Sequence, residues 1–261
     1  MPKNQAPSTK NQLDVLALAA HPDDVELCAG GTMCLLHRQG YKTGITDFTR
    51  GELGSRGTPE GRAEEAAAAT KVMGLSAREN LGIHDGNIEN TEENRKKVIR
   101  VIRRYRPHIV LVNPLECRHP DHAAAARLSV DAMFYAGLRM IETFEDDGAP
   151  QEPWRPHHVL HYMQTIPFVP TFVVDVSDVW DERMKALLSF RSQFFNPGYE
   201  AHEEEPETFI SNPGFVAWVE AQARTYGHRI GVTHGEPFLY RHGPFGVADL
   251  MDVFHHEKPF R

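Results

Sequence analysis

The chain has 261 residues, 41% of them hydrophobic, enough for one large α/β domain or two small ones around a substantial core. Its formal net charge of −8 provides no bulk basic field, so sequence-independent binding to nucleic acid and attachment to anionic membranes are both disfavoured. Cys28, Cys34 and Cys117 have no paired spacing, so neither a disulfide framework nor a Cys-rich zinc site is supported, and a reducing cytoplasm fits.

Residues 1–12, MPKNQAPSTKNQ, are polar, lack the apolar stretch of a secretory signal and read as a disordered arm. No run approaches the roughly 18 apolar residues that a membrane span needs. A first buried strand is expected over Leu13–Ala20, and it stops at His21-Pro22-Asp23-Asp24. Pro22 cannot donate to a sheet ladder, so the imidazole and two carboxylates fall in a tight turn beyond the strand's carboxyl end, where open α/β sheets place their ligands. Nitrogen and oxygen donors so close together suit a borderline divalent ion such as Zn²⁺. The plainer alternative is that Asp23 or Asp24 caps the following helix. That helix is expected over Cys28–Gln39, with Gly40 as its stop. Gly30-Gly31 near its start matches neither GxGxxG nor GxxxxGK, so close backbone approach is a better reading of the pair than phosphate binding.

A second strand is expected over Lys42–Thr49, followed by a glycine-rich loop carrying Arg50, Glu52 and Arg56. Thr58-Pro59-Glu60 opens a helix over Arg62–Met73, which Gly74 ends. A weaker third strand over Glu79–Ile83 leads to His84-Asp85-Gly86. Thr91–Tyr105 has the period of a surface helix ended by Pro107, and His108–Asn113 is a fourth buried strand. Like the first, this strand runs straight into a polar cluster, Glu116 to His122. A helix over Ala123–Ala136 then places His122 in its first turn and Asp121 near its N-cap.

This alternation predicts an α/β fold with a Rossmann-like, doubly wound, mostly parallel sheet flanked by helices. Parallel strands end on one side, so HPDD and HPDH can converge in one crevice despite a separation of about 100 residues. Beyond residue 146 the texture changes, with strands expected over His158–Met163 and Thr171–Val176 and helices over Asp178–Arg191 and Pro213–Tyr226. Residues 13–261 therefore read as one domain, with the donor clusters in 13–145 and a C-terminal α+β extension in 146–261. The acidic triplet Glu203–Glu205 reads as a solvated stretch, and the terminal HHEKPFR as an exposed tail.

AHPDDVELCAGGT and RHPDH resemble the PIG-L or LmbE-like family of zinc-dependent N-acetylglucosamine deacetylases, and the similarity continues through ELGSRGTPEGRAEEA, FRSQF and GVTHGEPF. Within that family the pattern is similar to the bacillithiol-biosynthesis branch, which deacetylates N-acetylglucosaminyl-malate. The resemblance implies Zn²⁺ held by His21, Asp24 and His122, with Asp23 as general base. It implies that His119, as an imidazolium oriented by Asp121, stabilises the oxyanion, and that Arg62 reaches the substrate. Arg118 stands where its fork could pair with a carboxylate. The plainer alternatives are a cap for Asp23, a core position for His119 and ordinary salt bridges for the two arginines. The implied reaction is metal-assisted amide hydrolysis of a small N-acetylglucosaminyl conjugate, releasing acetate and a free amine. The resemblance also implies a homo-oligomer, often a hexamer, and a C-terminal part, residues 146–261, that covers the substrate. The acidic loop over residues 201–207 and the tail beyond 250 have no counterpart in the family pattern, so another aglycone or an oligosaccharide stays open. A non-catalytic zinc protein and a nucleotide-binding module are the readings outside this activity, the latter lacking its fingerprint.

Overall fold

The computed structural model of the chain describes residues 11–199, 205–241, 243–244 and 246–248. Residues 1–10 of the expected arm, residues 201–204 of the acidic loop and the tail beyond 250 lie outside the described residues. Seven strands form one sheet in the order β3-β2-β1-β4-β5-β7-β6. They are β1 (Val15–Ala19), β2 (Thr43–Asp47), β3 (Ala77–Asn80), β4 (Ile109–Val112), β5 (His158–Tyr162), β6 (Phe172–Asp175) and β7 (Gly235–Tyr240). The first five pair in parallel. β7 runs antiparallel between β5 and β6.

All five residues of β1 are buried, because helices cover both faces of the sheet. Val15, Ala17 and Ala19 point to one core with α2 (Gly30–Arg38), α3 (Pro59–Met73), α6 (Trp180–Leu187) and α7 (Pro213–Arg229). Leu16 and Leu18 point to the other, formed with α4 (Glu92–Tyr105) and α5 (Pro120–Ala136). This period-two division makes β1 the shared spine of both cores and sets its carboxyl end at the middle of the sheet edge. Helix ends follow local chemistry. Thr58 Oγ1 accepts the Gly61 N–H at 3.0 Å, Thr91 Oγ1 accepts the Asn94 N–H at 3.2 Å, and Gly74 closes α3 in the left-handed region at φ 65°.

The structure departs from the sequence reading at several places. A separate five-residue helix, α1 (Asp24–Cys28), precedes α2 and is broken from it at Ala29. β3 begins two residues before the expected start, and the 14-residue helix expected from Asp178 is a 3-10 turn at Ser177–Val179 followed by the shorter α6. α5 begins at Pro120, so its N-cap is His119 and not Asp121, while His122 keeps its place in the first turn. Glu205 is no purely solvated acid, since its carboxylate accepts the Gly57 N–H at 2.9 Å and the Tyr199 hydroxyl at 3.1 Å. Among the described residues no helix is long and apolar enough to cross a membrane.

β7 was not expected, and it carries the most distant helix cap of the fold. The Glu236 carboxylate accepts the Gly31 N–H at 2.8 Å, the Thr32 N–H at 2.7 Å and the Thr32 hydroxyl at 2.7 Å, with Arg183 3.8 Å away. A buried anion thus sits on the positive end of α2 and balances a buried guanidinium. Glu236→Ala is expected to cost about 3 to 5 kcal/mol by urea unfolding, the range for removing one partner of a buried pair. A loss below about 1 kcal/mol, the scale of a single ordinary cap, would show that the carboxylate is dispensable.

Candidate active site

The chain leaves β1 at Ala20, and the HPDD turn gathers groups from the carboxyl ends of β4 and β5. Asp24 Oδ2 accepts the His21 N–H at 3.1 Å and the Asn113 side-chain amide at 3.0 Å. Its Oδ1 accepts the Gln164 amide at 2.8 Å and faces His122 Nε2 at 3.1 Å. Asn113 follows β4 directly and returns its own oxygen to the Ala20 N–H at 3.0 Å, locking the strand ends together. Burial works against ionisation of Asp24, but the His122 imidazole and its other donors hold it well below the usual carboxylate range.

His21 Nδ1 lies 3.8 Å from Asp24 Oδ2, and its Nε2 meets Asp85 Oδ1 at 3.0 Å and Asp121 Oδ2 at 3.5 Å. Burial would lower this imidazole, yet the two carboxylates and Asp24 raise it to about 10. Burial likewise opposes protonation of His122, which the Asp24 charge raises to about 9. Nitrogens of His21, His119 and His122 converge within 4.8 Å of one another, as do donor atoms of His21, Asp85 and Asp121. Asp24 belongs to neither group, but its carboxylate stands 3.8 Å from His21 Nδ1 and 3.1 Å from His122 Nε2, so the sequence-predicted trio His21, Asp24 and His122 is gathered in one place, with His122 only partly buried. The trio's imidazole and carboxylate chemistry fits a borderline divalent ion, and a carboxylate stands behind one imidazole as metal-ligating histidines require.

Asp23 is the N-cap residue of α1 by position, but its side chain makes no capping hydrogen bond. Its carboxylate pairs instead with Arg62 Nη2 at 2.7 Å. Burial raises Asp23 to about 7, with Arg62 opposing part of the rise. Its φ of 119° is a left-handed conformation that costs a non-glycine residue about 1 to 3 kcal/mol. That turn directs the neighbouring carboxylates apart, Asp24 into the donor cluster and Asp23 toward Arg62.

His119 and Asp121 differ from expectation. The Asp121 carboxylate does not orient His119; it accepts the Gly86 N–H at 2.8 Å and faces His21. The Asp121 backbone N–H donates to His119 Nδ1 at 3.3 Å, so a neutral His119 carries its proton on Nε2. Burial and then the neighbouring His21 lower the His119 pKa, which favours that neutral ring over the expected imidazolium. Arg118 is exposed, stacks over Phe209 at 4.7 Å and has no ion pair among the described residues. It lines, with His21, Asp23, Arg62 and His119, a cavity of about 250 Å³ whose apolar wall includes Leu53, Phe194 and Phe215. Sequence reasoning missed Asp85, Asn113, Gln164 and the Cys117 sulfur, which lies 3.0 Å from His122 Nδ1. The signal was available for Asn113 and Gln164, polar residues just past strands that end on the same edge.

Residues 16–133 match the model of a family described as PIG-L: GlcNAc-PI de-N-acetylase. The diacetylchitobiose deacetylase of Thermococcus kodakarensis is 31% identical over 94% of this chain and 86% of its own length. A Bacillus cereus protein named "Probable N-acetyl-alpha-D-glucosaminyl L-malate deacetylase 2" is 30% identical over 69% of this chain and 83% of its own. The crystal structure of the conserved protein TT1542 from Thermus thermophilus superposes with a TM-score of 0.78 at 38% identity, covering 91% of this chain and 98% of that one.

Gly51 leaves the space in which Arg62 reaches Asp23. A Cβ there would stand 2.0 Å from Arg62 Nη1, and φ is +66°. Gly51→Ala is expected to lose about 3 kcal/mol or more in chemical denaturation, since it adds backbone strain to the displacement of a buried guanidinium from its carboxylate. Gly82→Ala, at φ +57° with nothing within 4 Å of the added carbon, isolates the strain and should cost only about 1 kcal/mol. Equal losses for the two would mean that Arg62 moves aside freely.

Proposed function

The chain belongs to the PIG-L de-N-acetylase family, and from that premise we propose that it hydrolyses the acetamide of an N-acetylglucosamine-type conjugate with a divalent metal held by His21, Asp24 and His122. The observation that carries the reading is Asp23, a buried carboxylate raised to about 7, fixed by Arg62 and adjoining the donor cluster at the floor of a cavity. A bound Zn²⁺ supplies a Lewis acid for the acetyl carbonyl and lowers the pKa of water at the site.

Asp23 takes a proton from the attacking water and delivers it to the amide nitrogen as the C–N bond breaks, giving acetate and a free amine. His119 Nε2–H donates to the oxygen that gains charge as the carbonyl becomes tetrahedral, and a neutral imidazole can do this without an imidazolium. Arg62 holds Asp23 in place and preserves its charge until the proton arrives. Asp121 supports the site through His21 and through its backbone N–H on His119, in place of a carboxylate–imidazole dyad.

For the substrate, Arg118 offers an exposed guanidinium at the cavity with no carboxylate partner among the described residues, which favours an anionic aglycone such as malate. The similarity to the diacetylchitobiose deacetylase over nearly the whole chain favours a second reading, an uncharged N-acetylated disaccharide. Arg118→Ala separates the two. Turnover of the malate conjugate should lose about 1.5 to 3 kcal/mol in kcat/KM, the scale of a hydrogen bond to a charged group, while diacetylchitobiose turnover stays near wild type. Unchanged turnover of the malate conjugate removes Arg118 and the anionic preference together.

The two neighbouring carboxylates give a second test. Asp23→Asn keeps the shape of the side chain but removes the base, so kcat should fall about 10² to 10⁴-fold with zinc content retained. Asp24→Asn replaces an anionic ligand by a neutral amide and should lose the zinc itself. Zinc analysis beside acetate release decides the matter, and an active Asp23→Asn or a zinc-loaded Asp24→Asn would refute the assigned roles.

A further inference from the structure

His122 is held from two sides. In front, its Nε2 is 3.1 Å from Asp24 Oδ1, and behind, its Nδ1 is 3.0 Å from Cys117 Sγ. A neutral imidazole has one N–H and one lone pair, so the ring nitrogen that faces a metal must be bare and the other must donate. The rear partner therefore decides whether the histidine is ready to ligate. For His21 a carboxylate, Asp85, stands at Nε2. For His122 the group in that position is a sulfur, anchored on the turn that precedes α5.

We infer that Cys117 is a positioning residue: its sulfur accepts the Nδ1–H of His122 and so fixes the tautomer whose Nε2, which shares a proton with Asp24 in the metal-free chain, would be bare toward a metal ion. The role rests on the reading of His122 as a metal ligand. Thr165 Oγ1 lies 3.4 Å from the same sulfur, and a hydroxyl donated there leaves the sulfur an acceptor toward both neighbours. Thr165 also lines the cavity, so the chain past β5 braces the ligand from the substrate side. The turn before α5 and the chain past β5 are thus joined through the Cys117 sulfur. A cysteine does here what a carboxylate, backbone carbonyl or water does behind other metal-bound histidines, with a softer and weaker acceptor.

The test measures Zn²⁺ affinity of the full chain, stripped of metal and titrated against a chromophoric chelator, together with the melting temperature of the metal-free protein. Cys117→Ala should bind Zn²⁺ about 10- to 100-fold more weakly than wild type, the usual effect of losing such a partner, while melting within about 3 °C of it. Cys117→Asp should recover most of the affinity, because a carboxylate again accepts the Nδ1–H. Cys117→Val takes the place of the alanine variant if that one does not fold. Zn²⁺ affinity in Cys117→Ala within twofold of wild type overturns the role, and so does an equal loss in the alanine and aspartate variants. A wild-type chain that takes up no Zn²⁺ overturns the metal-dependent reading and this role with it, whereas a zinc-binding, acetate-releasing wild type beside an unaffected alanine variant overturns the role alone.

Discussion

A single buried carboxylate ties the sheet to its chemistry. Asp24 is withdrawn from water almost completely, and such a charge is tolerable only when nearly every lone pair is satisfied. Its four partners come from four segments: the turn after β1, the end of β4, the chain past β5 and the first turn of α5. The carboxyl ends of three adjacent parallel strands are thereby held to one oxygen pair. The alignment of these three strand ends and the position of His122 follow from the same desolvation cost.

The neighbouring Asp23 shows how one turn separates two like charges. With φ at 119° the backbone sends the side chains apart, and their surroundings then push their proton affinities in opposite directions, Asp23 up and Asp24 down. In the proposed function this divergence separates a proton carrier from a ligand. The strain at Asp23 persists because the Arg62 ion pair and the Leu27 N–H on its carbonyl, at 2.9 Å, overdetermine the turn.

The parallel half of the fold was legible because both of its signals are local. Apolar runs such as HIVLVN and caps such as Thr58, Gly74 and Thr91 act within a few residues, and the common edge for HPDD and HPDH follows from parallel strands alone. β7 was hidden by Pro237, which reads as a strand breaker. Pro237 lies just past the last β5 pair, Tyr162 with Phe238, so its missing N–H is tolerated in a strand that is otherwise interior. α1 is too short to show a period. The resemblance implies an Asp121 carboxylate that orients His119, whereas the helix starting at Pro120 turns that carboxylate toward His21 and Gly86. Asp85 and Cys117 were illegible for a related reason: each acts on an imidazole through a contact that only the folded geometry creates.

The cap that Glu236 places on α2 has a consequence for vectorial synthesis. The elements that carry the HPDD and HPDH donors are complete by Ala136, but the carboxylate that neutralises the start of α2 lies about 100 residues further on, an interval on the order of ten seconds at ribosomal speed. During that time β5 has no antiparallel neighbour, and the donor-rich edge is exposed on a half-built sheet. Long-range closure of this kind is slow and leaves strand edges open to other chains. A nascent chain of this topology thus presents imidazoles and carboxylates to free metal before the wall that later restricts access has been made.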